Sequence, residues 1–376
     1  MLPSFNQHQS DVSTAPGRVG EIPVRNIWLL MLYASDLFRQ LDNHQRAKAE
    51  ENPDDIPDLI GEILAHAVEY RLRRNLSFGY RSRAADLSRV RGRINLLRTE
   101  RRRLLDRAKV ACRFEELTID TPRNRYVRAA LDRVARAVRT PALGGRCRTL
   151  ATTLARLGVS GDQPSRRDVS VGTFGRLDAD DRRMVAAAHL AFDLALPTEV
   201  VGALHLSSPD REVEWFRHLF EKAVAGFYDV VLAGSGWSVH AGRRLTWLTE
   251  HKTSGIDQIL PQMVTDIVLE NHNTRRRIVI DTKFNTILTS GWHREGALRS
   301  QYLYQIYAYV MSQLREDSRL SQNAEGLLLH PAVGRGIDES VVIQGHRFRF
   351  ATVDLGAGAP VIRRQLLDLV ILENPS

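Results

Sequence analysis

The chain has 376 residues, 43% apolar and 26% charged, which supplies apolar material for two or three globular domains and argues against a disordered chain. Its 53 Lys and Arg against 44 Asp and Glu leave a net charge of +9, mostly arginine, which favours polyanionic partners because neutralised phosphates release counterions. Only Cys112 and Cys147 occur, with no Cys or His at metal spacing, so a disulfide framework and a structural zinc site are excluded and a reducing, cytoplasmic setting fits.

Residues 1–21 are polar, lack an apolar signal-peptide core, and read as a disordered lead-in. The longest apolar run, Ile27 to Ala34, is far too short to span a bilayer, so no membrane role is expected. From Ile22 the pattern predicts a helix capped by Asn26, with Ile27, Leu30, Met31, Ala34 and Phe38 on one face. A second helix is expected over about Ile56 to Asn75. A basic stretch from Arg71 to Arg107 follows, in which Val90 to Leu96 alternates like a short strand and Gly92 marks a bulge or close approach. Residues 126–157 read as a helix pair broken near Thr140 to Gly145, and a further helix covers about Ala179 to Leu194.

The second half opens on a helix, about Arg211 to Leu232, with Phe216, Phe220, Val224 and Phe227 on its apolar face. The texture then changes to strands at Leu245–Leu248, Met263–Leu269 and Arg277–Lys283, the last two joined by a turn at Asn271–Thr274. A helix over about Leu298 to Leu314 and strands at Gly326–Leu329 and Phe348–Asp354 complete an α/β order. The expected architecture is a mainly helical first domain over residues 22–197 and an α/β second domain over 205–376.

The candidate chemistry lies in Thr265-Asp266-Ile267 and Ile280-Asp281-Thr282-Lys283. Residues two apart on a strand share a face, so Asp281 and Lys283 point together and Thr282 points away. A hairpin brings Asp266 alongside. Two converging carboxylates repel unless a cation lies between them, and an all-oxygen donor set suits a hard ion, Mg²⁺. With the ammonium of Lys283 beside it, this is the chemistry of phosphodiester hydrolysis. Gln305 falls on one face of its helix with Gln301, positioned to hold a water or a phosphate, and Glu221 on the opening helix is a candidate third carboxylate.

This arrangement resembles the PD-(D/E)XK, restriction-endonuclease-like nuclease superfamily, with Asp266 as first acid, Asp281-Thr282-Lys283 as the (D/E)-x-K element and Gln305 to Tyr309 as a Gln-x-x-x-Tyr extension. Thr265 stands where that superfamily usually has Pro. Taken with Ile22 to Ile27, Leu87 to Ile94, Phe114 to Asp120 with Asn124 and Arg125, and Leu219 to Lys222, the chain resembles the McrC family.

The resemblance implies an endonuclease subunit of a 5-methylcytosine-directed restriction system, using Mg²⁺ on Asp266, Asp281 and Glu221 against double-stranded DNA carrying modified cytosine. It also implies an McrB-like AAA+ GTPase ring as partner, docked and stimulated by the first domain, with Arg123, Asn124 and Arg125 as candidate donors near the partner's nucleotide. The chain has no Gly-x-x-x-x-Gly-Lys-[Ser/Thr] loop to power translocation itself. The alternatives are a non-catalytic regulator of such a ring with a vestigial site, and an autonomous RecB-like nuclease.

Overall fold

In the computed structural model the helical pattern after Ile22 resolves into three short helices, α1 (Val24–Tyr33), α2 (Asp36–Gln40) and α3 (Asn43–Glu51). The residues described are 18–19, 22–169, 179–194, 209–284, 288–289, 297–334 and 336–371. The expected lead-in therefore lies, apart from residues 18–19, outside them. Ser35 ends the first helix and caps the second, its side chain accepting from the Phe38 amide. Asn26 is not the cap that its position suggested. It lies inside α1, fully buried, and donates to the carbonyls of Leu355 (2.7 Å) and Ala357 (2.9 Å).

Those bonds place α1–α3 with the second half of the chain, and the boundary differs from that read from the sequence. One compact unit joins residues up to Ile56 with those from Leu194 onward, and the other spans Pro57–Asp193. The physical reason is tertiary. Tyr33 donates to Glu50 (3.0 Å), which pairs with Arg363 (2.9 Å), and Tyr33 packs on Phe227. A Cβ on Gly226 would come 2.1 Å from the Tyr33 carbonyl oxygen, so the helix carrying it crosses α1 with backbones nearly touching.

The Pro57–Asp193 unit is mainly helical, as expected, with a sheet that the sequence pattern did not announce. Its elements are α4 (Ile56–Arg74), β1 (Gly79–Leu87), β2 (Arg93–Ile94), α5 (Leu96–Arg101), β3 (Val110–Thr118), α6 (Pro122–Ala137), α7 (Pro141–Arg156) and α8 (Ala179–Asp193). The strands form an antiparallel three-stranded sheet in the order β1-β3-β2. Gly92 has φ +69°, and a Cβ there would lie 2.5 Å from the Arg113 carbonyl oxygen, which is the close approach its position implied.

In the other unit, α9 (Pro209–Val231) precedes β4 (Trp237–Leu245), β5 (Met263–Asn271) and β6 (Arg276–Thr282). Then come α10 (Ser300–Met311), α11 (Arg319–Gln322), β7 (Ala324–Ala332), β8 (Asp338–Ile343), β9 (His346–Asp354) and α12 (Ala359–Ile371). The six-stranded sheet runs β8-β9-β7-β6-β5-β4. Strands β4, β5 and β6 form an antiparallel meander, and β7 is parallel to both β6 and β9. Ile278, Val279 and Ile280 are all buried, because β6 is central and covered on both faces. One cover is α10, whose Ile306, Tyr309 and Val310 pack with Val279, Leu328 and Phe348.

Candidate functional site

The buried run of β6 ends at Asp281, and this is where its charge is placed. Asp281 is 1% exposed. Its Oδ2 lies 2.7 Å from Lys283 Nζ, while Oδ1 accepts no hydrogen bond from the described residues. Lys283 follows the strand, held by its amide donating to the Leu329 carbonyl at 2.9 Å, and its ammonium sits 5.3 Å from the Tyr302 ring centroid. Asp281 and Lys283 thus meet as the period of two required.

Asp266 lies just beyond the last β5–β6 register pair, Ile267 with Ile280. Its Oδ2 accepts from the Thr282 amide (2.6 Å) and hydroxyl (2.8 Å). The side chain takes over a ladder position, which fixes one carboxylate beside the other. Thr282, read from the sequence as merely pointing away, is therefore the residue that orients Asp266. A hydroxyl inside the D-x-K triplet was the available signal.

Burial pushes the Asp281 carboxyl up to about 6; the Lys283 ammonium opposes that shift and the Asp266 charge adds to it. Glu221, half-buried on α9, is raised by burial and then by Asp266, so it faces the same cluster of charge. Its Oε2 lies 3.8 Å from His218 Nδ1, one turn back. Phe216 and Phe220 pack on Phe284 (centroids 5.4 and 6.2 Å apart), which seats this part of α9 against the end of β6. Arg217, four residues before Glu221, lowers both Glu221 and Asp281 electrostatically. Sequence reasoning passed over it, although i, i+4 spacing from Glu221 was the signal.

Gln305 donates to the Tyr309 hydroxyl at 2.8 Å. That bond fixes the amide on α10, and burial raises the Tyr309 phenol, with Asp281 and Asp266 adding to the rise.

Among the described residues, no three His, Cys, Asp or Glu side chains are gathered as a ready-made metal cage. The expected set of Asp266, Asp281 and Glu221 is brought into one electrostatic neighbourhood but not closed on one point. Like charges separate: Asp266 accepts from Thr282 and Asp281 pairs with Lys283, while Glu221 lies 3.8 Å from His218, beyond hydrogen-bond reach. The chemistry of the donors still fits a hard divalent ion: every one is oxygen, and the buried Asp281 Oδ1 is unsatisfied.

The arginines of the Pro57–Asp193 unit divide in two. Arg71 and Arg123 pair with the buried Asp181, and Arg125 pairs with Asp120 at 3.2 Å. Asn124 is 1% exposed and donates to the carbonyls of Ser77 and Ile119. The trio Arg123, Asn124 and Arg125 thus has internal partners, because these side chains join α6 to the segments before it and to α8. By contrast Arg89, Arg93, Arg101 and Arg103 are exposed around the sheet, together with Tyr80 (72% exposed), Leu97 (81%) and Leu117 (60%). Tyr80 and Leu117 are cross-strand partners in β1 and β3.

The model of the family described as McrBC 5-methylcytosine restriction system component matches residues 1–331. The chain belongs to that family. A curated relative from Escherichia coli (strain K12), the type IV methyl-directed restriction enzyme EcoKMcrBC, is 25% identical over 354 residues, covering 93% of this chain and 97% of its own. Among solved structures, the half-complex of Thermococcus gammatolerans McrB AAA+ hexamers with bound McrC matches with a TM-score of 0.43 and 15% identity, covering 93% of this chain and 76% of the other. The Thermococcus gammatolerans McrBC complex matches at 0.33 and 17%, covering 45% and 50%. Membership of the McrBC family rests on the match over residues 1–331, and it agrees with the McrC resemblance of the motifs. No helix among the described residues is long and apolar enough to cross a membrane.

Proposed function

We propose that this chain is the McrC-like nuclease subunit of a modification-directed restriction complex, hydrolysing phosphodiester bonds in double-stranded DNA that carries modified cytosine. The observation that carries the catalytic reading is the end of β6: a buried Asp281 with one lysine, one unsatisfied oxygen and a second carboxylate beside it. A charge buried with incomplete compensation costs stability and is retained where chemistry uses it. Asp281 and Asp266 would hold Mg²⁺, with Glu221 as third oxygen donor.

A bound Mg²⁺ supplies charge screening at the phosphate and lowers the pKa of its water. The chain does the rest. Lys283 brings a fixed positive charge to the phosphate and orients the attacking water through the ammonium. Gln305, held by Tyr309, offers an amide to the same region, and burial around Asp281 keeps the electrostatics strong.

The partner in this reading is an McrB-like AAA+ GTPase ring, as membership of the McrBC family suggests; without a Gly-x-x-x-x-Gly-Lys-[Ser/Thr] loop the chain would not power translocation itself. What supports a docking role for the Pro57–Asp193 unit is its sheet, where exposed Tyr80 and Leu117 are cross-strand partners in a unit whose Arg89, Arg93, Arg101 and Arg103 are also exposed. An exposed apolar surface is what a protein partner would cover.

The test is cleavage of methylated duplex DNA by the full-length chain with its GTPase partner, GTP and Mg²⁺. Asp281→Ala and Lys283→Ala should each lower cutting by about 10²–10³-fold or more, the size of losing one preorganised catalytic group, with GTPase stimulation unchanged. Tyr80→Glu with Leu117→Glu should remove GTPase stimulation, and the cutting that depends on the ring should fall with it. Wild-type cutting by the Asp281 and Lys283 variants would end the catalytic reading and leave a ring regulator.

A further inference from the structure

A cavity of about 570 Å³ opens beside α10, in the same unit as the site, its lining running from Arg275 and Arg277 at the start of β6 to Val279, two residues short of Asp281. From Arg277, which lines it, to Asp281 is four residues of β6, about 13 Å at strand rise. The volume falls within the range of small-molecule sites, roughly 300–1,000 Å³.

The cavity has two chemically distinct ends. Its buried end is apolar, formed by Val268, Val279 and Val310 with the Tyr309 ring, all at most 8% exposed. Its open end carries Arg275, Arg315 and Arg319, all exposed and none in an ion pair among the described residues. Between them, Arg243 and Arg277 share the single buried acid Glu270, at 2.7 and 2.8 Å, so this level keeps one positive charge in excess. Asp317 is the acid among the residues lining the cavity. Arginine forks match phosphate oxygens in geometry, and an apolar slot ending in a tyrosine ring matches a flat heterocycle.

We propose that this cavity binds a nucleoside phosphate, base inward and phosphate at the three free arginines. The ligand is a free nucleotide or the phosphorylated end of a strand. Tyr309 gives the cavity a route to the candidate catalytic site, since its ring lines the cavity and its hydroxyl holds Gln305. That link rests on the nuclease reading, whereas binding in the cavity does not.

The experiment is calorimetric titration of the full-length chain alone, at about 0.15 M salt, where exposed charges are screened beyond about 8 Å. The probes are dCMP, deoxycytidine, and a hexanucleotide with either a 5′-phosphate or a 5′-hydroxyl. The expected result is one dCMP per chain, with deoxycytidine at least tenfold weaker. Arg275→Ala/Arg315→Ala/Arg319→Ala should weaken dCMP at least tenfold at unchanged melting temperature. Arg101→Ala/Arg102→Ala/Arg103→Ala, in the other unit, should leave binding unaltered. A 5′-phosphate preference of the hexanucleotide that the first triple variant abolishes assigns the site to strand ends; dCMP binding without that preference assigns it to free nucleotides. Equal affinity for dCMP and deoxycytidine, or wild-type affinity in the cavity variant, overturns the proposal. No readout depends on DNA cutting, so failure here leaves the nuclease reading intact.

Discussion

Each of the two units buries an aspartate to 1% exposure, and they are buried in opposite ways. Asp181 in the Pro57–Asp193 unit is surrounded by Arg71 (2.9 Å), Arg123 and the Ser77 hydroxyl, which join α4, α6 and α8 around one charge. Asp281 in the other unit has one lysine, on Oδ2, a neighbouring carboxylate and, among the described residues, no cation on Oδ1. The first charge is compensated and holds a fold together. The second is under-compensated, which raises its pKa, weakens the fold locally and leaves a lone pair for a ligand. The two aspartates are equally buried; what differs is the number of cations at each carboxylate, two at Asp181 and one at Asp281 among the described residues.

If that contrast is right, the two aspartates respond oppositely to neutralisation, and the largest effect belongs to Asp181. Asp181→Ala should lower the unfolding free energy by about 3 kcal/mol, near the low end for breaking a buried pair because both arginines keep some solvent contact. Urea unfolding measures it, and an unchanged midpoint at unchanged slope would dissolve the comparison.

Asp281→Asn should stabilise the protein at pH 7.5 without divalent ions, by about 1–3 kcal/mol, from a rise of the carboxyl from 3.8 to about 6. The sign follows from the protons bound. Between those pH values the folded state holds a proton that the unfolded state has released, so wild-type stability falls as pH rises through that window. The gain of the Asn variant should therefore vanish below about pH 4, and Mg²⁺ should stabilise the wild type alone. Melting curves across pH with and without Mg²⁺ decide this; a less stable Asn variant at pH 7.5 would show that the lysine compensates the charge fully.

The smallest effects belong to the supporting side chains. Gln305→Ala and Glu221→Ala should slow cleavage by about 10–100-fold, less than loss of Asp281, as expected for groups that orient or add a ligand. Rates equal to wild type across a Mg²⁺ titration would return both to structural roles.

The periodicity of two made Asp281 and Lys283 legible as a pair, because strand geometry leaves their side chains no other choice. Apolar spacing in α9 and α10 announced helices for the same reason, and Gly92 announced a close approach. The strands β1, β3 and β8 were not legible. In β1 and β8, Arg81, Arg83, Val341 and Val342 are exposed, so no inward face imposes an alternating pattern there. Strand β3 does alternate, with Cys112 and Phe114 buried between exposed Arg113 and Glu115, over a run too short to stand out. Gln305 was visible as a polar residue on a helix face, but its bond to Tyr309 was one choice among several rotamers.

The sequence by itself determined the acids, the lysine and their strand spacing, since these depend on backbone geometry over a few residues. It also determined that the charge balance favours a polyanion. Only the tertiary structure decided that Asn26 and Tyr33 belong with residues more than 190 positions away, at Leu355 and Phe227. Only it decided that Thr282 holds Asp266 and that Arg123 and Asn124 face inward. Those outcomes turn on which buried polar group finds a partner across the fold, and local propensity carries no information about that.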